Sequence, residues 1–234
     1  MNDARTKSAE TAAIDLGAFV RGSAHEFANP LNAIVMYAEL ARTLFQRQEA
    51  QRATEALERL IANCGTCATL LQSFRRFGAG LNALPPERVP LRNLVDSAVT
   101  LVVAERSPFP AVAVEGGDLW IEADRRALER ALAELLFNAA EAQAASIRIA
   151  MRREDASVFL DVIDDGTGIP PDMRDKVIQP FFSTRRHEGK AGLGLNLVQE
   201  VLRTNGGALH VDAPVQNARG ACMRMRLSPC AEAA

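Results

Sequence analysis

The chain has 234 residues, 48% of them hydrophobic, so it can bury one large core or two smaller ones. Its 27 basic and 29 acidic residues leave a net charge of −2, and with no basic run or acidic tail the charge pattern gives no sign of nucleic-acid binding. No apolar block approaches the ~20 residues of a membrane span, no secretory signal opens the chain, and four cysteines in this length fit a soluble protein of the reducing cytoplasm.

In chain order, small and apolar residues first recur at steps of three and four: Gly17, Val20, Ala24, Phe27, Leu31, Ile34, Ala38, Ala41, Phe45. This seam predicts one long helix. A polar stretch at 46–51 precedes a second seam, Ala53, Leu57, Leu60, Cys64, Cys67, Leu71, Phe74, which Gly78 and Gly80 are expected to end. The economical arrangement is an antiparallel hairpin that dimerises into a four-helix bundle, although the same pattern also fits packing within a monomer.

Within the first helix lies His25-Glu26-Phe27-Ala28-Asn29-Pro30-Leu31. His25 falls one residue past the seam position Ala24, at the edge of a bundle with its tip toward solvent. Asn29, four residues on, shares its face. Pro30 lacks an N–H and displaces the carbonyl of Glu26, so the helix is expected to bend or loosen beside His25. Taken alone, this is a surface histidine beside a kink. Cys64 and Cys67 form a Cys-x-x-Cys on the second seam, where buried cysteines behave as small apolar residues. The expectation there is packing, with redox or metal chemistry as the alternative.

Residues 78–90 hold two glycines and three prolines and mark the expected linker between a hairpin domain at 1–77 and a second domain at 91–234. Helices are predicted at Leu91–Ala104, Arg125–Gln143 (capped by Asp124) and Leu193–Arg203. Strands are predicted at Ala111–Val114, Leu119–Glu122, Ser146–Met151, Val158–Ile163, Ala208–Val211 and Ala221–Leu227. Helices on one face of a mixed sheet make this an α+β sandwich.

Three stretches here carry chemistry. On a helix, Glu134 and Asn138 stand at i and i+4, and the Asn oxygen is a suitable hard ligand for Mg²⁺; an ordinary polar helix face has the same pattern. Asp164-Asp165-Gly166-Thr167-Gly168 follows a strand, placing a carboxylate and flexible backbone beside a ligand, or making a plain turn. Phe181 to Leu195 is a basic, glycine-containing loop entering a helix N-terminus, which is an anion-binding arrangement or a solvated loop.

Together, His-Glu-x-x-Asn-Pro-Leu, the Asn-bearing helix, Asp-x-Gly-x-Gly and Gly-Leu-Gly-Leu, in that order, resemble the catalytic core of two-component sensor histidine kinases, from about Ile14 to Leu227. Asn-Ala-x-x-Ala at 138–142 and Pro-Phe-Phe-Ser-Thr at 180–184 are most similar to the nitrogen-regulation and oxygen-sensing subclass. The resemblance implies that His25 is the phosphoacceptor, that Glu26 takes the imidazole proton, and that Asn29 orients water in a phosphatase reaction. It further implies ATP and Mg²⁺, with Asn138 as metal ligand and Asp164 as the adenine-reading carboxylate. Glu134, Gly166, Gly168, Thr184, Arg185, Gly192, Leu193, Gly194 and Leu195 would complete the nucleotide site. The implied partners are a second copy and a response-regulator receiver domain.

Two departures stand out. Glu134 occupies a position where many members have Asn, as in gyrase-type ATPases whose Glu activates water, so hydrolytic side activity is an expectation. Lys190 replaces the first glycine of the usual Gly-x-Gly-x-Gly, with Gly189 one place early. Two other readings remain: a histidine phosphotransfer protein with a relic nucleotide domain, and a gyrase-like ATPase module with a helical arm.

Overall fold

The two seams form two long helices, α1 (Leu16–Gln46) and α2 (Ala50–Leu81), in a computed structural model that describes residues 16–81, 84–185, 190–212 and 219–230. The chain divides into two compact units, one holding the helical hairpin up to Gln72 together with Arg185, Lys190 and Ala191, the other holding the end of α2 from Ser73 and the α/β elements. The helices reverse through three residues with Gln48 at φ +61°, and the Glu49 N–H donates back to the Leu44 carbonyl at 3.0 Å. Above the turn Ala41, Leu44, Ala53 and Ala56 form a small core, with Tyr37 packed on it. Arg59 covers the Tyr37 ring at 5.9 Å, which fixes the antiparallel register.

The hairpin buries only part of each seam. Ala41 and Ala53 are buried, whereas Val20, Leu31, Phe45, Leu57 and Leu71 stay 38–56% exposed. Steps of three and four alternate between the two edges of an apolar stripe, and a single antiparallel neighbour covers one edge. Two further features differ from the sequence reading. Cys64 is exposed, not buried. Gly78 and Gly80 do not end α2, which runs to Leu81; a helical glycine costs about 1 kcal/mol but does not by itself terminate a helix. Pro30 is buried inside α1, which continues through it.

The α/β unit runs β1 (Glu87–Pro90), α3 (Leu91–Glu105), β2 (Ala111–Glu115), β3 (Trp120–Ala123), α4 (Arg125–Glu141), β4 (Ser146–Glu154), β5 (Ser157–Asp164), a short 3₁₀ turn at Pro171–Met173, α5 (Gly194–Thr204), β6 (Ala208–Asp212) and β7 (Cys222–Leu227). The five-stranded sheet has the order β2-β4-β5-β7-β6, with β2 parallel to β4 and the other pairs antiparallel. Alternation places Val158, Leu160 and Val162 of β5 on the inner face, buried together with Leu128, Leu132 and Leu135 of α4 and Leu197 and Val201 of α5. The mixed sheet with helices on one face is the expected α+β architecture. Strand β1 lies inside the stretch read as linker. Its Val89 is 1% exposed and pairs with Ile121 of β3 in a separate ribbon. Proline and glycine on either side masked a four-residue strand that ends on Pro90.

Two buried carboxylates hold the unit together. Asp124, 3% exposed, caps α4 by accepting from the Ala127 N–H at 3.0 Å and also accepts from the Leu84 N–H at 2.6 Å. Its own N–H donates to the Asn205 side chain at the end of α5, at 2.8 Å. On the outer sheet face, Asp161 of β5 accepts from Arg152 of β4 and from Arg224 Nε of β7 at 2.9 Å. Arg224 extends this to Asp212 of β6 at 3.3 Å.

Replacing Asp124 removes a cap and a second acceptor together. Asp124→Ala is expected to lower stability by about 2 kcal/mol, with Asp124→Asn close to wild type, read by urea unfolding through the single tryptophan, Trp120, of this unit.

Candidate active site

Helix α4 turns Leu128, Leu132 and Leu136 into the core, and its register leaves Glu134 and Asn138 one turn apart on another face. The N-terminus of α5 packs against that face. A Cβ added to Gly194 would lie 2.9 Å from Glu134 Oε2 and 3.8 Å from Asn138 Nδ2. The Leu193 side chain makes no cap to α5, and the positive end of the helix dipole at this N-terminus favours an anion. The Asn138 Nδ2 atom is buried without a hydrogen-bond partner. Rotation about the terminal torsion presents the amide oxygen there instead, which suits a hard cation bridging protein and phosphate oxygens. The residues present therefore fit Mg²⁺ held by Asn138, water and phosphate. Among the described residues no group of three or more His, Cys, Asp or Glu forms a metal cage.

At the end of β5 the chain makes a tight loop between two other backbone segments. A Cβ on Gly166 would fall 2.6 Å from the Ala142 carbonyl oxygen beyond α4, and Thr167 N–H donates to that same oxygen at 3.0 Å. Gly168 has φ +75° and faces the Gly220 carbonyl, which a Cβ would approach to 2.7 Å. Gly220 itself, at φ +109°, leaves only 1.8 Å between its hypothetical Cβ and the Asp164 carbonyl oxygen.

Asp164 is 7% exposed, and both N–H groups that reach its carboxylate, from Gly166 at 2.9 Å and Ala221 at 3.3 Å, bind Oδ1. Among the described residues no donor is directed at Oδ2. Burial pushes this carboxyl above its ordinary pKa, against the pull of the two N–H groups and with a smaller push from Asp165. Asp165 does different work. It accepts from the Ser146 N–H at 3.0 Å and hydroxyl at 2.7 Å and from the Ala145 N–H at 2.8 Å, and these bonds hold its pKa below the usual range.

The loop entering α5 is held by main-chain contacts between Phe181, Phe182 and Gly192. Phe181 N–H donates to the Gly192 carbonyl at 3.1 Å, and Gly192, at φ +67°, is so close to Phe182 that a Cβ would sit 2.3 Å from its carbonyl oxygen. Thr184 is exposed, while Arg185 and Lys190 are partly buried. Gly189 lies outside the described residues. Leu193 is 3% exposed, so only its main chain is available to a ligand, and Leu195 is partly buried. In the hairpin unit, His25 and Asn29 are exposed one turn apart on α1, with Glu26 partly buried beside them.

The structure thus brings Glu134, Asn138 and Gly194 together, and joins Asp164, Gly166 and Gly168. Sequence reasoning missed Gly220 and Ala221, which lie just before β7 and pack against and hydrogen-bond Asp164. The available signal was Gly220 immediately before a strand, at the end of a polar loop.

Two family models match in succession: "His Kinase A (phospho-acceptor) domain" over residues 15–79 and "Histidine kinase-, DNA gyrase B-, and HSP90-like ATPase" over residues 123–230. The chain belongs to the histidine kinase catalytic cores. It is 30% identical over 226 residues to the nitrogen regulation protein NtrY of Azorhizobium caulinodans, covering 88% of this chain and 28% of that protein. The structure of the mycobacterial sensor histidine kinase MprB superposes with a TM-score of 0.53 at 28% identity, over 62% of this chain and 97% of that one. Histidine kinase ThkA, solved in complex with the response regulator protein TrrA, shares the fold at a TM-score of 0.61 and 20% identity, over 92% of this chain and 62% of that one. The chain spans roughly a third of the length of the curated relatives it matches. No helix among the described residues is long and apolar enough to cross a membrane.

The glycines divide by what each added methyl group meets. Gly220→Ala meets main chain at a positive φ and is expected to destabilise the α/β unit by roughly 3 kcal/mol or more. Gly194→Ala meets only the tip of the flexible Glu134 side chain and is expected to stay within about 1 kcal/mol of wild type. Thermal unfolding followed by Trp120 fluorescence separates the two.

Proposed function

We propose that the chain is an ATP-dependent protein histidine kinase that phosphorylates His25 and passes the phosphoryl group to an aspartate of a response-regulator receiver domain. One observation carries this reading: a single chain holds an exposed histidine next to a carboxylate, and a second domain in which Asp164 Oδ2 and Asn138 Nδ2 have no hydrogen-bond partner among the described residues. The imidazole nitrogen of His25 attacks the γ-phosphorus in line, the new N–P bond forms as the bond to the ADP oxygen breaks, and Glu26 takes the imidazole proton. Asp164 Oδ2 accepts from the exocyclic amine of adenine. The α5 N-terminus receives the phosphates, to which Thr184 offers a hydroxyl and Arg185 and Lys190 offer cations. Mg²⁺ on Asn138 would neutralise phosphate charge. Asn29, on the face of His25, would orient water when the phosphorylated receiver is the substrate.

The exposed stripe of Val20, Leu31, Val35, Leu57, Ile61 and Leu71 supports a homodimer, since a second hairpin covers the edge that one hairpin leaves open. The receiver partner is favoured by the exposure of His25. It also corresponds to the partner named with ThkA. A second activity rests on Glu134. Its carboxylate lies at the α5 N-terminus, close to the incoming phosphates, and so can activate water. In a His25→Ala background, residual ATP hydrolysis abolished by Glu134→Gln is the expected sign of it.

With γ-labelled ATP and Mg²⁺, acid-labile and base-stable label is expected on wild type and absent from His25→Ala. Absence of label from ATP, together with uptake from a phosphorylated receiver, would make the chain a relay instead.

Asp164→Asn exchanges the acceptor for a donor and is expected to weaken ATP binding 10- to 100-fold, the loss of one charge-assisted hydrogen bond. The raised pKa also sets a pH dependence. The folded state holds its proton above the ordinary carboxylate pKa, so this group's contribution to stability is largest at low pH and declines as pH rises through that window. ATP affinity runs the other way, weakening as pH falls through the raised pKa in wild type but not in Asp164→Asn. Calorimetric titration across pH checks both.

A further inference from the structure

We propose that Asp161 and Arg224, on the outer face of the sheet, are positioning residues for adenine: their ion pair selects the register of β7 that carries Gly220 and Ala221 to Asp164. This rests on the reading of Asp164 Oδ2 as the acceptor for the exocyclic amine.

The hydrophobic pattern of β7 does not fix its own register. The strand reads Cys222-Met223-Arg224-Met225-Arg226-Leu227. Met223, Met225 and Leu227 are buried, and Arg224 and Arg226 alternate with them onto the outer face. A slip of one residue would turn both arginines into the core and is excluded. A slip of two exchanges Met for Met and Arg for Arg, so each face keeps its chemistry while the chain moves by roughly 7 Å.

The neighbouring strands supply the missing distinction. Of Ser157, Phe159, Asp161 and Ile163, which share the outer side of β5, only Asp161 carries a charge. It is 5% exposed and stands directly opposite Arg224. Arg224 Nε donates to Oδ1 at 2.9 Å and Nη2 to Oδ2 at 3.4 Å, while Nη1 reaches Asp212 of β6 at 3.3 Å. Arg152 of β4 also donates to Asp161. Arg226, two residues on, faces Phe159 and Ala208, neither of them charged. The repeat thus offers two arginines, and the carboxylates of both flanking strands engage the first.

Slipped by two residues one way, β7 would set Cys222 opposite Asp161 and take the two-point guanidinium contact from a buried carboxylate, which is costly. Slipped the other way, Arg226 would replace Arg224, but Cys222 would take the place of Gly220, where a Cβ lies 1.8 Å from the Asp164 carbonyl oxygen. Register and cradle therefore go together. With Arg224 opposite Asp161, the Asp164 N–H donates to the Ala221 carbonyl at 3.0 Å and the Ala221 N–H to Asp164 Oδ1 at 3.3 Å. The ion pair lies three residues from this cradle along each strand, about 10 Å away, so it acts through the main chain.

Calorimetric titration of the full chain with ATP and with ITP, each with Mg²⁺, tests this. ITP carries an oxygen in place of the exocyclic amine, so wild type is expected to prefer ATP. Asp161→Asn and Arg224→Gln are each expected to narrow the ATP:ITP affinity ratio by about 10-fold, the worth of one hydrogen bond. Arg226→Gln is expected to keep the wild-type ratio. A merely structural role would lower the folded fraction, followed by circular dichroism and urea unfolding, and leave the ratio where it was. Arg224→Gln carries the test if Asp161→Asn does not fold. A folded Asp161→Asn or Arg224→Gln chain with the wild-type ratio overturns the proposal, as does an equal loss of the ratio in Arg226→Gln. Equal binding of ATP and ITP by wild type overturns the reading of Asp164 itself, and the proposal with it.

Discussion

The α/β unit depends on one constraint, the close approach of three backbones at the end of β5. The Asp164 main chain runs between Gly220 on one side and the Gly166–Ala142 contact on the other. Only residues without a Cβ permit that spacing, and only that spacing lets two N–H groups converge on a single carboxylate oxygen. The second oxygen is left open. A carboxylate at this depth is costly to ionise, and the fold accepts the cost because two backbone donors partly offset it. The sheet order follows from the same requirement. Placing β7 beside β5 brings residues 220–221 to the end of β5, although more than fifty residues separate them in sequence.

Glycines elsewhere in the pocket serve different ends. Gly192 lets the chain before α5 approach Phe182 closely and accept a main-chain hydrogen bond from Phe181. Gly194 keeps the first turn of α5 clear against Glu134 and Asn138. The region thus has a close approach of backbones at the end of β5, a main-chain contact at Gly192 and a clear first turn of α5, each produced by a distinct use of the missing side chain.

Much of this was legible in the sequence because it is local. Helix and strand types follow from periods of 3.6 and 2, and the pairing of Glu134 with Asn138 follows from helical spacing. What escaped is non-local. Gly220 and Ala221 have meaning only through a strand pairing that spans the second half of the domain. Strand β1 was hidden because its partner, β3, lies beyond an intervening helix and strand. The seam of α2 looked like one stripe, but which residues it hides depends on how many neighbours surround it. Cys64 is therefore exposed in the single hairpin, and the exposure of Leu57 and Leu71 on the same helix has the same cause.

Asp124 joins the segment before β1, the first turn of α4 and the end of α5 through one side chain and its own amide. These three pieces are far apart in the chain, yet none can open without breaking a bond the others share. In hydrogen exchange they are expected to form one cooperative unit, with the protection of the Leu84 and Ala127 amides governed by a single opening event rather than by the fraying of separate ends.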